Sequence, residues 1–200
     1  TGAPGRVRFL ALDGAFHGDT RGAAALGGAE LFRRPFAGVL LDCLRVPYGE
    51  GGHERAFSAL AAVLERDGAE IAAVVLEPVV QGAAGMRIYD AALVAEARRL
   101  CDHHGALLVA DEVFTGYGRT GPFWACEHAG TTPDLLCTAK GFTGGMLPMS
   151  ATPPTPTRKP SMMASVRGRV RRMLAPSPGR LWISIVPRSW PLTCTASFTA

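Results

Sequence analysis

Four short apolar runs constrain this chain most: Val7 to Leu12, Ile71 to Leu76, Ala106 to Ala110 and Leu135 to Ala139. Runs of this length suit strands, and between them the apolar spacing lengthens to that of helices. From Glu54 to Arg66, Phe57, Leu60, Ala61 and Leu64 share one helical face, and Asp90 can cap a second helix on which Leu93, Ala97 and Leu100 recur. These stripes read as core. Strand runs alternating with helices predict an α/β fold with a mostly parallel sheet and crossover helices. Two hundred residues, 48% of them hydrophobic, can bury one sizeable core.

The residues that end the runs carry the chemistry. Ile71 to Leu76 is followed by Glu77 and Pro78, Ala106 to Ala110 by Asp111 and Glu112, and Leu135 to Ala139 by Lys140, Gly141 and Gly144-Gly145. In an open α/β sheet, ligands collect at the carboxyl ends of the strands, so one pocket can receive a carboxylate from Asp111 and an amine from Lys140. That pair suits pyridoxal 5'-phosphate, an aldehyde that condenses with a lysine and whose protonated ring nitrogen draws electrons from a substrate carbanion. A carboxylate held against that nitrogen keeps it charged. The plainer reading of Lys140 is a solvated strand end.

Four ordered stretches decide between these readings: Gly14-Ala15-Phe16-His17-Gly18-Asp19-Thr20, Leu76-Glu77-Pro78-Val79-Val80-Gln81-Gly82, Ala110 to Gly121, and Cys137 to Gly145. Together they resemble the class III pyridoxal-phosphate aminotransferases, over roughly residues 5 to 152. The resemblance implies the large domain of a fold type I transferase. It implies Lys140 as the catalytic Schiff-base lysine, Asp111 on the pyridine nitrogen, Phe16 and Val113 on the two ring faces, and His17 shaping the cofactor pocket. Asp19 and Arg119 match positions lining the substrate pocket, Arg119 for a carboxylate and Asp19 for an amine. Their plainer readings are a helix cap and a surface arginine. Glu77 is placed near the pocket without an assigned role.

Within the class, Ala125-Cys126-Glu127-His128-Ala129, Gln81-Gly82 with Gly85-Met86, and Leu147 to Thr152 resemble the biotin-pathway branch. That branch implies 8-amino-7-oxononanoate as acceptor, S-adenosylmethionine as amino donor, a homodimer and a cytoplasmic location. Similar enzymes of the branch carry Tyr where this chain has Phe16, which removes a hydroxyl able to contact substrate. A class III transaminase for ω-amino acids or diamines is therefore a second expectation.

Gly116-Tyr117-Gly118-Arg119-Thr120-Gly121 fits the G-x-G-x-x-G dinucleotide pattern, but Pro122-Phe123-Trp124 follows where a helix has to begin. The glycines read better as a loop that approaches a cofactor or partner closely. Cys43, Cys101, Cys126, Cys137 and Cys194 are scattered, which argues against a zinc cage or a disulfide framework and for a reducing compartment. His103-His104 precede Gly105 at a helix end with no ligand partner visible in the sequence, so no metal site is expected. No signal peptide and no apolar stretch of about twenty residues for a membrane helix is evident.

The composition changes near Thr152. Residues 151–200 hold eight Lys or Arg, eight Pro and no Asp or Glu, a balance of +8 against −4 for residues 1–150. Prolines leave only Ser161 to Ala175 open to a long helix. The expected division is a partial cofactor-binding large domain over 1–152 and an irregular basic tail over 153–200. The Arg167-Gly168-Arg169-Val170-Arg171-Arg172 cluster can be read as a patch for nucleic acid or acidic lipid, making the chain a polyanion-binding fragment. The tail's composition and its loss of family pattern favour an out-of-frame stretch, with no nucleic-acid partner and with Leu181 to Val186 an exposed apolar run. The resemblance further implies a phosphate-gripping Gly-Ser loop before the first strand and a small domain after the last, both expected to lie outside this chain, so weak or absent catalysis is expected of it.

Overall fold

The computed structural model describes residues 3–48, 52–144, 146, 150–152, 173–174 and 181–182. Its strands are β1 (Arg8–Leu12), β2 (Leu44–Val46), β3 (Ile71–Leu76), β4 (Val80–Gln81), β5 (Arg87–Ile88), β6 (Leu107–Asp111), β7 (Leu135–Ala139), β8 (Ser150–Ala151), β9 (Met173–Leu174) and β10 (Leu181–Trp182). Its α-helices are α1 (Arg21–Leu26), α2 (Glu30–Arg33), α3 (Gly52–Asp67) and α4 (Ala91–His104). Six strands form one sheet in the order β2-β1-β3-β6-β7-β8, with parallel pairing except for antiparallel β8. The expected α/β, mostly parallel architecture is thus the observed one.

The strands alternate as the pleat requires. Leu10 and Leu12 of β1, Val74 and Leu76 of β3, and Leu108 and Ala110 of β6 join one core with Ala56, Leu60 and Leu64 of α3 and Leu93, Ala97 and Leu100 of α4. The register Leu10↔Val74↔Leu108 puts them on one face of the sheet, under both helices. Each fully buried leucine contributes about 1.5–3 kcal/mol over its exposed state. By the same alternation Glu77 and Asp111 leave the sheet on the opposite side.

The helices begin and end where local chemistry dictates. Asp90 caps α4 by accepting from the Ala92 amide at 2.8 Å, and Gly105 closes it in the left-handed region at φ 70°. Thr20, not Asp19, caps α1, accepting from the Ala23 amide at 3.4 Å. The capping alternative for Asp19 therefore falls to its neighbour.

Most of residues 153–200 lie outside the described residues, including all of the Arg167 to Arg172 cluster and most of the helix considered over Ser161 to Ala175. At the two ends of what is described there, Met173–Leu174 pairs antiparallel with Leu181–Trp182. The start of the Leu181 run is thus strand, and Met173–Leu174 lies in strand where a helix was considered.

Candidate active site

Asp111 ends β6 and Lys140 follows β7, and these strands are neighbours: Asp111 pairs with Cys137, three residues before Lys140. The sheet alone brings the two strand ends side by side. The Asp111 side chain is 10% exposed, and both of its oxygens are engaged. Oδ2 lies 2.8 Å from His17 Nδ1, and Oδ1 accepts from the Val113 amide at 3.1 Å. One partner is a backbone N–H and the other an imidazole nitrogen, and the carboxyl group still has lone pairs to offer a ligand. On the far side of the imidazole, His17 Nε2 is buried without a hydrogen-bond partner among the described residues.

Glu77 supplies the second fastening. Its Oε1 accepts from the Phe16 amide and its Oε2 from the Gly82 amide, each at 3.0 Å. One buried carboxylate therefore ties the loop after β1 to the turn after β4. Burial pushes the Glu77 carboxyl above the usual carboxylate range, against the opposing pull of the two amides and of His17. The hydroxyl of Tyr89 donates to the Glu77 carbonyl.

Gly82 in turn touches Phe114, since a Cβ placed on Gly82 would stand 3.0 Å from that ring. Over the Phe114 ring lie Arg119 Cζ at 4.9 Å and Lys140 Nζ at 5.7 Å from its centroid. Contacts thus run from Phe16 through Glu77, Gly82 and Phe114 to Arg119 and Lys140, and from His17 through Asp111 to Val113. Asp19 is exposed and joins neither chain of contacts among the described residues. The Phe16 ring packs against Phe32, centroids 4.7 Å apart and tilted by 52°.

Lys140 is exposed and has φ 49°, a left-handed backbone that costs an L residue on the order of 1–2 kcal/mol. The Gly116–Gly121 stretch is a series of turns, with Gly118 at φ 78° and Gly121 at φ 111°, leading to a 3-10 helix over Ala125–Ala129. No helix starts directly behind its last glycine, as a dinucleotide site requires.

Sequence reasoning missed three groups. Glu77 had a place but no partners, and Tyr117 and Phe114 drew no attention because their contacts span distant segments. At the opposite end of the strands, just before β3 and β6 begin, Glu65 comes together with His103 and His104, their ligand atoms within 4.8 Å of one another. His104 Nε2 is 3.5 Å from Glu65 Oε1, so the histidines do have a carboxylate neighbour that the sequence did not show. Glu65 and His103 are exposed there.

The mostly parallel sheet is that of a fold type I transferase, and it brings a buried carboxylate with two partners and a lysine to adjacent strand ends. The class-III aminotransferase family model matches residues 1–165, and the chain belongs to that family, whose members are pyridoxal-phosphate-dependent transferases. It is 46% identical over 154 residues to an adenosylmethionine-8-amino-7-oxononanoate aminotransferase from Synechococcus elongatus, and 43% identical over 158 residues to one from Nitratidesulfovibrio vulgaris. Both alignments cover 74% of this chain, with 36% and 29% of those relatives, so the chain spans about a third of the length of the curated relatives it matches. Among solved structures, the adenosylmethionine-8-amino-7-oxononanoate aminotransferase of Methanocaldococcus jannaschii aligns at TM-score 0.67 and 32% identity, over 74% of this chain and 34% of that one. An amine transaminase from an uncultivated Pseudomonas species, solved in a PLP-bound form, aligns at TM-score 0.67 and 34% identity, over 74% of this chain and 36% of that one.

Proposed function

We propose that these residues form the central part of a pyridoxal-phosphate aminotransferase that aminates 8-amino-7-oxononanoate, with S-adenosylmethionine as amino donor, in biotin synthesis. The observation that carries the reading is the buried Asp111 carboxylate, held by His17 and Val113 beside the strand that delivers Lys140. The named relatives at 43–46% identity support the substrate.

Bound there, the cofactor would supply an aldehyde for amine exchange and a pyridinium ring that stabilises a carbanion. Asp111 would face the ring nitrogen, and His17, 2.8 Å away, would fix the carboxylate's orientation. Phe16 and Val113 would cover the ring faces. Lys140 would hold the cofactor through its Nζ and, once an incoming amine has displaced it, that free amine would move the proton at the substrate carbon that carries nitrogen. Arg119 attracts a substrate carboxylate and Asp19 an amine, both from exposed positions. A homodimer fits the apolar row Leu31, Phe36, Val39 and Leu41, each about half exposed or more. A reducing, cytoplasmic setting fits the free cysteines.

A second reading, a class III transaminase for ω-amino acids or diamines, is favoured by Phe16, whose ring stacks but lacks a hydroxyl, and by the likeness to the amine transaminase.

The test is titration of the whole chain with pyridoxal phosphate, borohydride reduction and peptide mapping. The chain has only two lysines, Lys140 and Lys159, so the label's position is unambiguous. The expected result is label on Lys140, lost in Lys140→Ala. Label on Lys159 alone would overturn the cofactor assignment. Amination of 8-amino-7-oxononanoate, compared with that of a diamine-derived aldehyde, separates the two substrates.

A further inference from the structure

Two non-glycine residues with left-handed backbones meet at this site: Tyr117 at φ 62° and Lys140 at φ 49°. Such a conformation persists only where surrounding contacts over-determine it. Besides the Thr143 hydroxyl, which donates to the Lys140 carbonyl at 3.5 Å, Lys140 is supported through one side chain from a distant segment. The Thr138 hydroxyl donates to the Tyr117 phenolic oxygen at 2.7 Å, and Thr138 is buried, two residues before the lysine. Gly141, one residue after the lysine, lies under the same ring. A Cβ placed on Gly141 would stand 2.7 Å from Tyr117 Cδ2 and 3.2 Å from Cγ. Tyr117 therefore grips the chain on both sides of Lys140.

The grip is itself braced. The Tyr117 ring meets Phe123 and Trp124 edge-on, with centroids 5.5 and 5.0 Å away. Trp124 closes over Gly116, where a Cβ would stand 2.7 Å from its ring. The amides of Ala125 and Cys126, which follow Trp124, donate to the fully buried Glu112 carboxylate at 3.1 and 2.9 Å. The brace begins at the residue after Asp111 and returns to the residue beside Lys140.

We propose that Tyr117 is the positioning residue for Lys140: through Thr138 and Gly141 it fixes the lysine's backbone so that the amine extends over Phe114. The proposal rests on the reading of Lys140 as the reactive lysine. Burial pushes the Tyr117 hydroxyl upward, against the opposing pull of the bond from Thr138, and its oxygen accepts that bond as a neutral phenol.

The test reads the lysine's position without any cofactor. Reductive methylation of the whole chain with 13C-formaldehyde gives lysine methyl resonances, and Lys140→Arg assigns the one of interest. In the unsubstituted chain that resonance is expected to be displaced by the Phe114 ring current. Tyr117→Phe, which keeps the ring and loses the hydroxyl, should lose much of the displacement while thermal unfolding stays within a few degrees. Gly141→Ala, which forces the ring away, should lose more. An unchanged resonance in Tyr117→Phe and in folded Gly141→Ala would overturn the proposal. Should Gly141→Ala not fold, Tyr117→Phe alone decides. Borohydride trapping of pyridoxal phosphate on unmethylated samples of these proteins separates the two ideas. A displaced resonance that collapses in the variants, with no label on Lys140 in the unsubstituted chain, would sink the cofactor reading and leave the positioning role standing.

Discussion

His17 Nδ1 stands 2.8 Å from Asp111 Oδ2, so a side chain from the loop after β1 holds one from the end of β6, 94 positions away in sequence. Both side chains are nearly enclosed, at 4% and 10% exposure, and the contact links residues on either side of β3. The carboxylate is thereby aimed before any ligand arrives.

If Asp111 holds a pyridinium nitrogen, Asp111→Asn should weaken capture of pyridoxal phosphate by about ten- to a hundredfold, the worth of one charge-assisted hydrogen bond. His17→Ala should cost less, because it removes the aim and leaves the charge. Absorbance titration of the three proteins measures this. Equal affinities would remove Asp111 from the role.

Glu77 predicts a pH effect of defined sign. Burial raises its folded-state pKa above that of the unfolded chain. Its contribution is fully present below the unfolded carboxylate value and is lost as pH rises through the folded one. Glu77→Gln does not titrate, so the stability of the unsubstituted chain relative to this variant should fall as pH is raised from about 4 to about 7. Paired thermal melts across that range test it, and a difference that grows with pH would contradict it.

Glu112 satisfies the Thr115 hydroxyl at 2.6 Å in addition to the amides of Ala125 and Cys126. Glu112→Ala strands three buried donors and should cost on the order of 3 kcal/mol or more, whereas Thr115→Val should cost about 1 kcal/mol. Urea unfolding compares them. Near-equal losses would mean that water replaces the carboxylate.

The buried thiols Cys101 and Cys126 and the half-buried Cys137 should be inert. Burial pushes Cys101 to about 12 and Cys137 to about 11, and raises Cys126 as well. At about pH 8, iodoacetamide should leave all three unlabelled in the native chain and label them in urea, because the thiolate is the nucleophile. Peptide mapping reads the result, and rapid native labelling of Cys101 would show that α4 opens.

The sequence announced the elements whose residues repeat a pattern. β3 and β7 fall on the expected residues, Ile71–Leu76 and Leu135–Ala139, because a continuous apolar run is both long enough and bounded by polar residues. α3 and α4 follow from their stripes. β2 did not announce itself: Leu44–Val46 is three residues long with Arg45 at its centre, whose guanidinium is spent on the carbonyls of Gly27, Cys43 and Ala25. β8, two residues long, depends on its partner Thr138–Ala139 more than on its own composition. At the site, Asp111 and Lys140 were legible because strand ends are where parallel sheets present chemistry. Glu77 was legible only as a place, since its work lies in amides 61 and 5 residues away, and Tyr117 was hidden by the glycine pattern around it.

The ladder Asp111↔Cys137 makes the separation of acid and amine a matter of whole steps. Sliding β7 by one residue would shift it by about 3.3 Å and turn its side chains to the other face, so no gradual adjustment is available from the sheet. Fine control of the distance between Asp111 and the lysine must then come from the short stretch after Cys137, and a protein engineer who wants to change that distance has three residues, Thr138, Ala139 and Lys140, in which to do it.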